Sequence, residues 1–114
     1  MRKIGVYGSL KKGFYNHYLL GEANPQGKAI LRGYTLHSLG AYPAVVEGSP
    51  KDLVSLELYE VDPTTFTWLD RMEKLAGYKQ VEHQDGFIFW AFPEAYGYPQ
   101  VPPDSSGVAV WREK

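Results

Sequence analysis

Apolar positions along this chain recur mostly at a period of two, the spacing of strands whose two faces meet different surroundings. Ile4 and Val6 alternate with Gly5 and Tyr7, and Gly8 ends the run. Comparable patterning predicts strands over Ala29 to Leu36, Ala44 to Glu47, Leu53 to Val61, Tyr78 to His83, Phe87 to Phe92 and Val108 to Trp111. Gln84-Asp85-Gly86 has the chemistry of a tight hairpin, so the strands on either side of it are expected to be antiparallel neighbours. One segment carries helical spacing instead. Asp62 can cap it, Pro63 suits its first turn, Phe66 to Ala76 carry its apolar residues, and Gly77 stops it. Tyr96 to Gly107, rich in proline, glycine and serine, reads as a long surface loop. Many short strands and one sizeable helix predict an α+β fold: a small mixed, mostly antiparallel β-barrel, closed or nearly closed, with the helix packed at its side. A ligand site is then expected in a mouth or crevice at strand ends.

At about 100° per residue, Trp68, Leu69, Met72, Leu75 and Ala76 form one apolar arc of the helix, opposite Thr67, Asp70, Arg71 and Lys74. Glu73 does not join the polar side. It projects between Phe66 and Leu69, at the edge of the arc, where desolvation would raise its pKa and suit it to take and give a proton near neutral pH. The other arrangement is a border glutamate that bends out to water or pairs with a neighbouring Arg or Lys; from spacing alone this is the commoner case.

A second feature lies at the amino end. "VYGSLKKG", residues 6 to 13, ends a strand in Gly-Ser and leaves consecutive backbone N–H groups with no sheet partner and little side chain in the way. Such a concavity of donors can hold a carboxylate or phosphate, with the Ser9 hydroxyl added. An ordinary turn, with Gly8 chosen for its φ angle, is the competing arrangement. The spacing of a P-loop is missing.

Composition narrows the chemistry further. The 114 residues, 44% hydrophobic and 22% charged, suit one globular domain spanning 1–114. Twelve Lys and Arg against 13 Asp and Glu leave a net charge of -1 with the basic residues scattered, so nucleic acid is not an expected partner. Cysteine is absent, which excludes disulfides, thiolate metal sites and a cysteine nucleophile. With His37 and His83 far apart and no His-x-x-x-His, no metal is expected; Ser9 has the wrong flanks for a nucleophile elbow. The start, MRKIGVYG, is too short in apolar residues for a signal-peptide core or a membrane span, and a cytoplasmic chain without membrane attachment is expected. Aromatics around Phe87 to Trp90 serve either the core or a dimer surface, so a monomer or weak homodimer is expected.

Taken together, "VYGSLKKGFYNHYLL", "YPAVVEG" at 42 to 48, "LELYEVDPTTFTWLDRMEK" at 56 to 74 and "GYKQVEH" at 77 to 83 resemble the gamma-glutamylcyclotransferase-like family, in its gamma-glutamylamine cyclotransferase branch. The resemblance covers nearly the whole chain. It implies a cofactor-free enzyme that cyclises a small-molecule gamma-glutamyl substrate (an amine, isopeptide or dipeptide), releasing 5-oxoproline and a free amine or amino acid. It further implies that Tyr7, Gly8, Ser9 and Leu10 hold the substrate's α-carboxylate, that Glu73 is the acid/base, and that Tyr42 and Tyr78 line the pocket, with Asn16 and His17 bracing the loop. The chain departs from the family pattern in three places. Lys74-Leu75-Ala76 lengthen the helix before Gly77, Lys79-Gln80 replace an expected x-Arg after Tyr78, and Trp90 and Phe92 stand near an expected tyrosine. These changes admit a second expectation, a non-catalytic module that binds an amino-acid-like or phosphorylated small molecule in the same pocket.

Overall fold

The computed structural model describes residues 1–112. It contains β1 (Arg2–Val6), β2 (Asn24–Arg32), β3 (Tyr34–Ser38), β4 (Pro43–Glu47), β5 (Leu53–Val61), α1 (Pro63–Leu75), β6 (Lys79–Glu82) and β7 (Ile88–Ala91), with short 3-10 turns at His17–Leu20 and Pro93–Gly97. Five strands form one sheet in the order β2-β5-β1-β7-β6, and β3 pairs with β4 in a second, small sheet. Within the large sheet only the β1–β7 pair is parallel. The expected hairpin forms, with Glu82 opposite Ile88 and Gly86 at φ 91° in the turn between them.

The α+β class is as expected, but the strands do not close into a barrel. The cause is local. The predicted strand over Ala29 to Leu36 is broken at Gly33, whose φ of 88° suits glycine alone, so the chain leaves the large sheet after Arg32 and opens the small one at Tyr34. Gly33 N–H donates to the Asp52 carbonyl at 2.8 Å and its own carbonyl accepts from Gly48 N–H at 2.8 Å, which fixes the corner. The far side of the small sheet meets the large one through Phe92 N–H, donating to the Val45 carbonyl at 3.1 Å. The expected strand over Val108 to Trp111 shrinks to a single parallel bridge between Ala109 and Val54. β1 runs out at Val6 opposite Glu57, so only the first residues of β5 have an open edge for it.

Alternate residues of the large sheet feed two apolar clusters, one on each face. Phe87, just before β7, joins Phe89 and Ala91 of that strand in one with Leu36 and Val45 of the small sheet; Ile88 and Trp90 join the other with Ile4, Val6 and Val61. α1 packs on the second face. It starts as expected, the Asp62 carboxylate accepting from Thr65 N–H at 2.6 Å and Pro63 in the first turn. Its buried stripe is rotated from the expected arc: Phe66 and Leu69 are buried and Met72 partly so, whereas Trp68 is 48% and Leu75 84% exposed. Asp70, expected toward solvent, faces the sheet, because the indole N–H of Trp90 donates to its Oδ1 at 2.9 Å. Among the described residues no helix is long and apolar enough to cross a membrane.

Candidate active site

The turn after β1, the start of β4 and the last turns of α1 enclose a cleft of about 340 Å³. Tyr7, Gly8, Ser9, Leu10, Tyr42, Glu73 and Tyr78 all line it, so the structure brings every sequence-predicted site residue to one place.

The turn's own hydrogen bonds commit its acceptors and leave its donors open. The Gly8 carbonyl accepts from Lys11 N–H at 3.0 Å, the Ser9 carbonyl from Asn16 N–H at 3.1 Å, and the Leu10 carbonyl meets His17 Nδ1 at 2.8 Å. Asn16 Nδ2 also donates to the Ser9 hydroxyl at 3.0 Å. Asn16 and His17 thus brace the loop. Among the described residues, the N–H groups of Gly8, Ser9 and Leu10 donate to no protein acceptor, a geometry suited to an anion. Gly8 is required here for space rather than for φ, since it lies outside the left-handed region. A Cβ at this position would come within 2.6 Å of Pro43 Cγ.

The phenols are structural walls more than free donors. Tyr7 is buried and its hydroxyl donates to the Trp90 carbonyl at 2.6 Å; burial pushes its pKa well up. The Tyr78 hydroxyl donates to the Pro43 carbonyl at 2.7 Å, and burial with the nearby Glu73 pushes its pKa up as well. Tyr42 stands at the half-exposed rim, its hydroxyl receiving a hydrogen bond from that of Tyr15 at 3.1 Å.

Glu73 projects from the sheet-facing side of α1 into this enclosure. Burial, with a smaller contribution from the charge of Asp70, pushes its carboxyl up to about 7. Asp70 goes the other way. Burial acts to raise it, but the Lys74 ammonium, the Trp90 indole and Arg2 together hold it below the usual carboxylate range. Two carboxyl groups one helical turn apart are therefore held in opposite protonation preferences, a pattern that marks acid/base sites.

The helix arc misassigned Asp70, and the strand pattern gave no role to Trp90 beyond packing. The i, i+3 spacing of Asp70 and Glu73 was the available signal, since it puts the two on one side of a helix whatever face is buried. His37 is held by the Thr35 hydroxyl and the Tyr98 carbonyl, and His83 stacks on Phe87, both as structural residues. Among the described residues no group of three His, Cys, Asp or Glu side chains could hold a metal ion.

Residues 4–103 match the family described as gamma-glutamyl cyclotransferase, AIG2-like. The chain belongs to that family. A family member from Pyrococcus horikoshii is 38% identical over 80 residues, 70% of this chain and 66% of that protein, and one from Vibrio cholerae is 36% identical over 96 residues, 83% and 78%. Both carry the name "Putative gamma-glutamylcyclotransferase". A crystal structure of the Pyrococcus protein superposes with a TM-score of 0.71 at 32% identity, covering 81% of this chain and 78% of that one. An AIG2-like protein from Mus musculus shares the fold, with a TM-score of 0.70 at 22% identity over 100% of this chain and 98% of its own.

Proposed function

We propose that this chain is a gamma-glutamylcyclotransferase that closes a gamma-glutamyl group on itself, releasing 5-oxoproline and a free amine or amino acid. The observation that carries this reading is one cleft holding both a buried carboxyl poised near neutrality, Glu73, and a run of uncommitted N–H donors, Gly8 to Leu10. The donors would take the substrate's α-carboxylate. That grip fixes the α-amine next to the γ-carbonyl, so the reacting atoms belong to one molecule and most of the barrier reduction comes from holding the ring-closing geometry.

The reaction balances without a redox partner or external nucleophile. The α-amine, relieved of a proton by the Glu73 carboxylate, forms a bond to the γ-carbon. The γ-carbon to nitrogen bond of the leaving amine breaks, and the proton passes from Glu73 to that nitrogen. Both transfers require the carboxyl within roughly 3 Å of the nitrogens concerned. A carboxyl titrating at about 7 is populated in both forms at neutral pH and can serve both transfers in turn.

The test is a panel of gamma-glutamyl compounds (an alkylamide, a lysine isopeptide and a dipeptide) scored for 5-oxoproline, with Glu73→Gln as control. Turnover is expected for at least one class, reduced about 100-fold or more in the variant. Tight retention of intact ligand by both proteins, without 5-oxoproline, would instead assign a non-catalytic binding module.

A further inference from the structure

A second cleft, of about 1000 Å³, lies beside the first, and the cyclisation chemistry gives it no part. The segment joining β3 to β4 is the wall between them. Leu39 and Tyr42 line the first cleft, Ser38, Gly40 and Ala41 line the second, and at the shared rim the Tyr15 hydroxyl donates to that of Tyr42 at 3.1 Å. The barrier is one chain thick, about 5 Å at the spacing of neighbouring strands.

Two further segments border the second cleft, and each pairs its main chain on one side only. Around Gln100, Ser38 N–H donates to the Pro99 carbonyl at 2.8 Å and Val101 N–H to the Leu36 carbonyl at 2.7 Å, an antiparallel bridge in which Gln100 turns its own N–H and carbonyl away from β3. At the other border, Ala109 N–H donates to the Leu53 carbonyl and the Ala109 carbonyl accepts from Ser55 N–H, both at 2.9 Å, so β5 is engaged by Ala109 and not by Val110. Among the described residues, the main-chain N–H and carbonyl groups of Gln100 and Val110 meet no protein partner, and both residues line the cleft. Trp111, which also lines it, is 8% exposed, and its indole N–H is buried without an acceptor. Open main-chain groups of this kind accept an extended peptide as an added strand. A cleft of this size suits such an occupant, since a free amino acid would leave most of it empty.

We propose that the second cleft docks a peptide as an added strand, and that a lysine of that peptide carries the gamma-glutamyl group over the Tyr15–Tyr42 rim to Glu73 and the Gly8 to Leu10 donors. An extended lysine side chain is long enough to cross one chain's width. The substrate class is then a gamma-glutamyl-lysine isopeptide still embedded in a peptide. Cyclisation breaks the bond between the γ-carbon and the lysine nitrogen, passes the proton to that nitrogen, and releases 5-oxoproline and a peptide with its lysine restored. This rests on the cyclisation reading above.

The test measures 5-oxoproline formation by the unaltered protein from three compounds: an acetylated, amidated pentapeptide bearing the gamma-glutamyl group on a central lysine, the same peptide N-methylated at the two residues flanking that lysine, and free gamma-glutamyl-lysine. The first is expected to show a KM about 10-fold or more below that of the free isopeptide at similar kcat, because the added strand contributes main-chain hydrogen bonds. N-methylation removes the peptide's own donors and is expected to abolish the advantage. Equal KM values for the first and third compounds overturn the proposal, as does a methylated peptide that keeps the lower KM. Alongside, the 15N-labelled protein is titrated with the product peptide, its lysine free, and shifts are expected at the Gln100 and Val110 amides and the Trp111 indole N–H. Signals unmoved at these positions overturn the docking site. If no compound yields 5-oxoproline, the cyclisation reading falls, while the NMR titration still decides whether the second cleft takes a peptide.

Discussion

Glu73 ties stability to proton uptake at a single atom pair. Its carboxyl has an ordinary value of 4.5 and is pushed up to about 7 by burial and Asp70 in the folded protein. Between those values the native state holds more protons than the unfolded chain, so the stability this group contributes is complete below about 4.5 and is lost as pH rises through about 7. The full difference is on the order of 3 kcal/mol. Glu73→Gln removes the ionisation, so the variant is expected to gain stability over the unaltered protein at pH 8 and markedly less at pH 5. Urea midpoints at the two pH values measure this, and an equal gain at both would mean the carboxyl is not desolvated. This is also the residue whose position was most open in the sequence. Spacing put it at the edge of the apolar arc and left two environments for it; the tie is broken by the cleft it shares with Tyr7 and Tyr78, distant in sequence, which no helical wheel contains. The N–H donors of Gly8 to Leu10 were easier to foresee, because a strand ending in Gly-Ser exposes backbone wherever it is placed. Only the reason for Gly8 was hidden, since Pro43, the residue it must accommodate, arrives from another sheet.

Helix α1 was legible in its ends and misleading in its face. Asp62, Pro63 and Gly77 are local signals, acting within a few residues of themselves, and each acts as its type dictates. The buried face depends on what the sheet offers. A wheel weighted by hydrophobicity draws Trp68 and Leu75 inward; the sheet instead offers Trp90, whose indole N–H needs an acceptor, and Asp70 supplies it. The rotated stripe makes a clear contrast in side-chain truncation. Leu69→Ala, at a fully buried position, is expected to cost about 2 to 5 kcal/mol. Trp68→Gln, at a half-exposed position off the stripe, is expected to cost less than about 1 kcal/mol and to leave 5-oxoproline formation intact. Thermal unfolding of the two variants checks both values; a larger loss at Trp68 would restore the arc drawn from periodicity. The split of the predicted strand at Gly33 was missed for a related reason, because an isolated glycine within a run of strand-like residues marks a corner only if neighbouring backbone takes up its polar groups, as Asp52 and Gly48 do here.

At the level of the molecule, the α+β class followed from the period of two, whereas strand division and closure did not. Whether strands join into a barrel depends on edges meeting, and periodicity says which residues share a face, not which edges pair. The tail shows the same limit. Ala109 bridges β5, and Lys11 Nζ donates to the Trp111 carbonyl at 2.7 Å across a hundred residues of sequence. Pairings of that range are set by the whole fold. The two-sheet arrangement also governs where the cleft lies. Its walls come from the turn after β1 and from α1 on one side, and on the other from Leu39 and Tyr42 in the loop joining β3 to β4 and Pro43 at the start of β4. An occupant touching both would add a clasp between walls that the Phe92–Val45 and Tyr78–Pro43 hydrogen bonds already join, so filling the site should quiet backbone breathing well beyond the atoms it touches. Hydrogen exchange in the presence of a turned-over gamma-glutamyl compound, or of 5-oxoproline, is expected to slow in β3, β4 and α1 together. Slowing in one layer alone would mean the guest rests against a single wall.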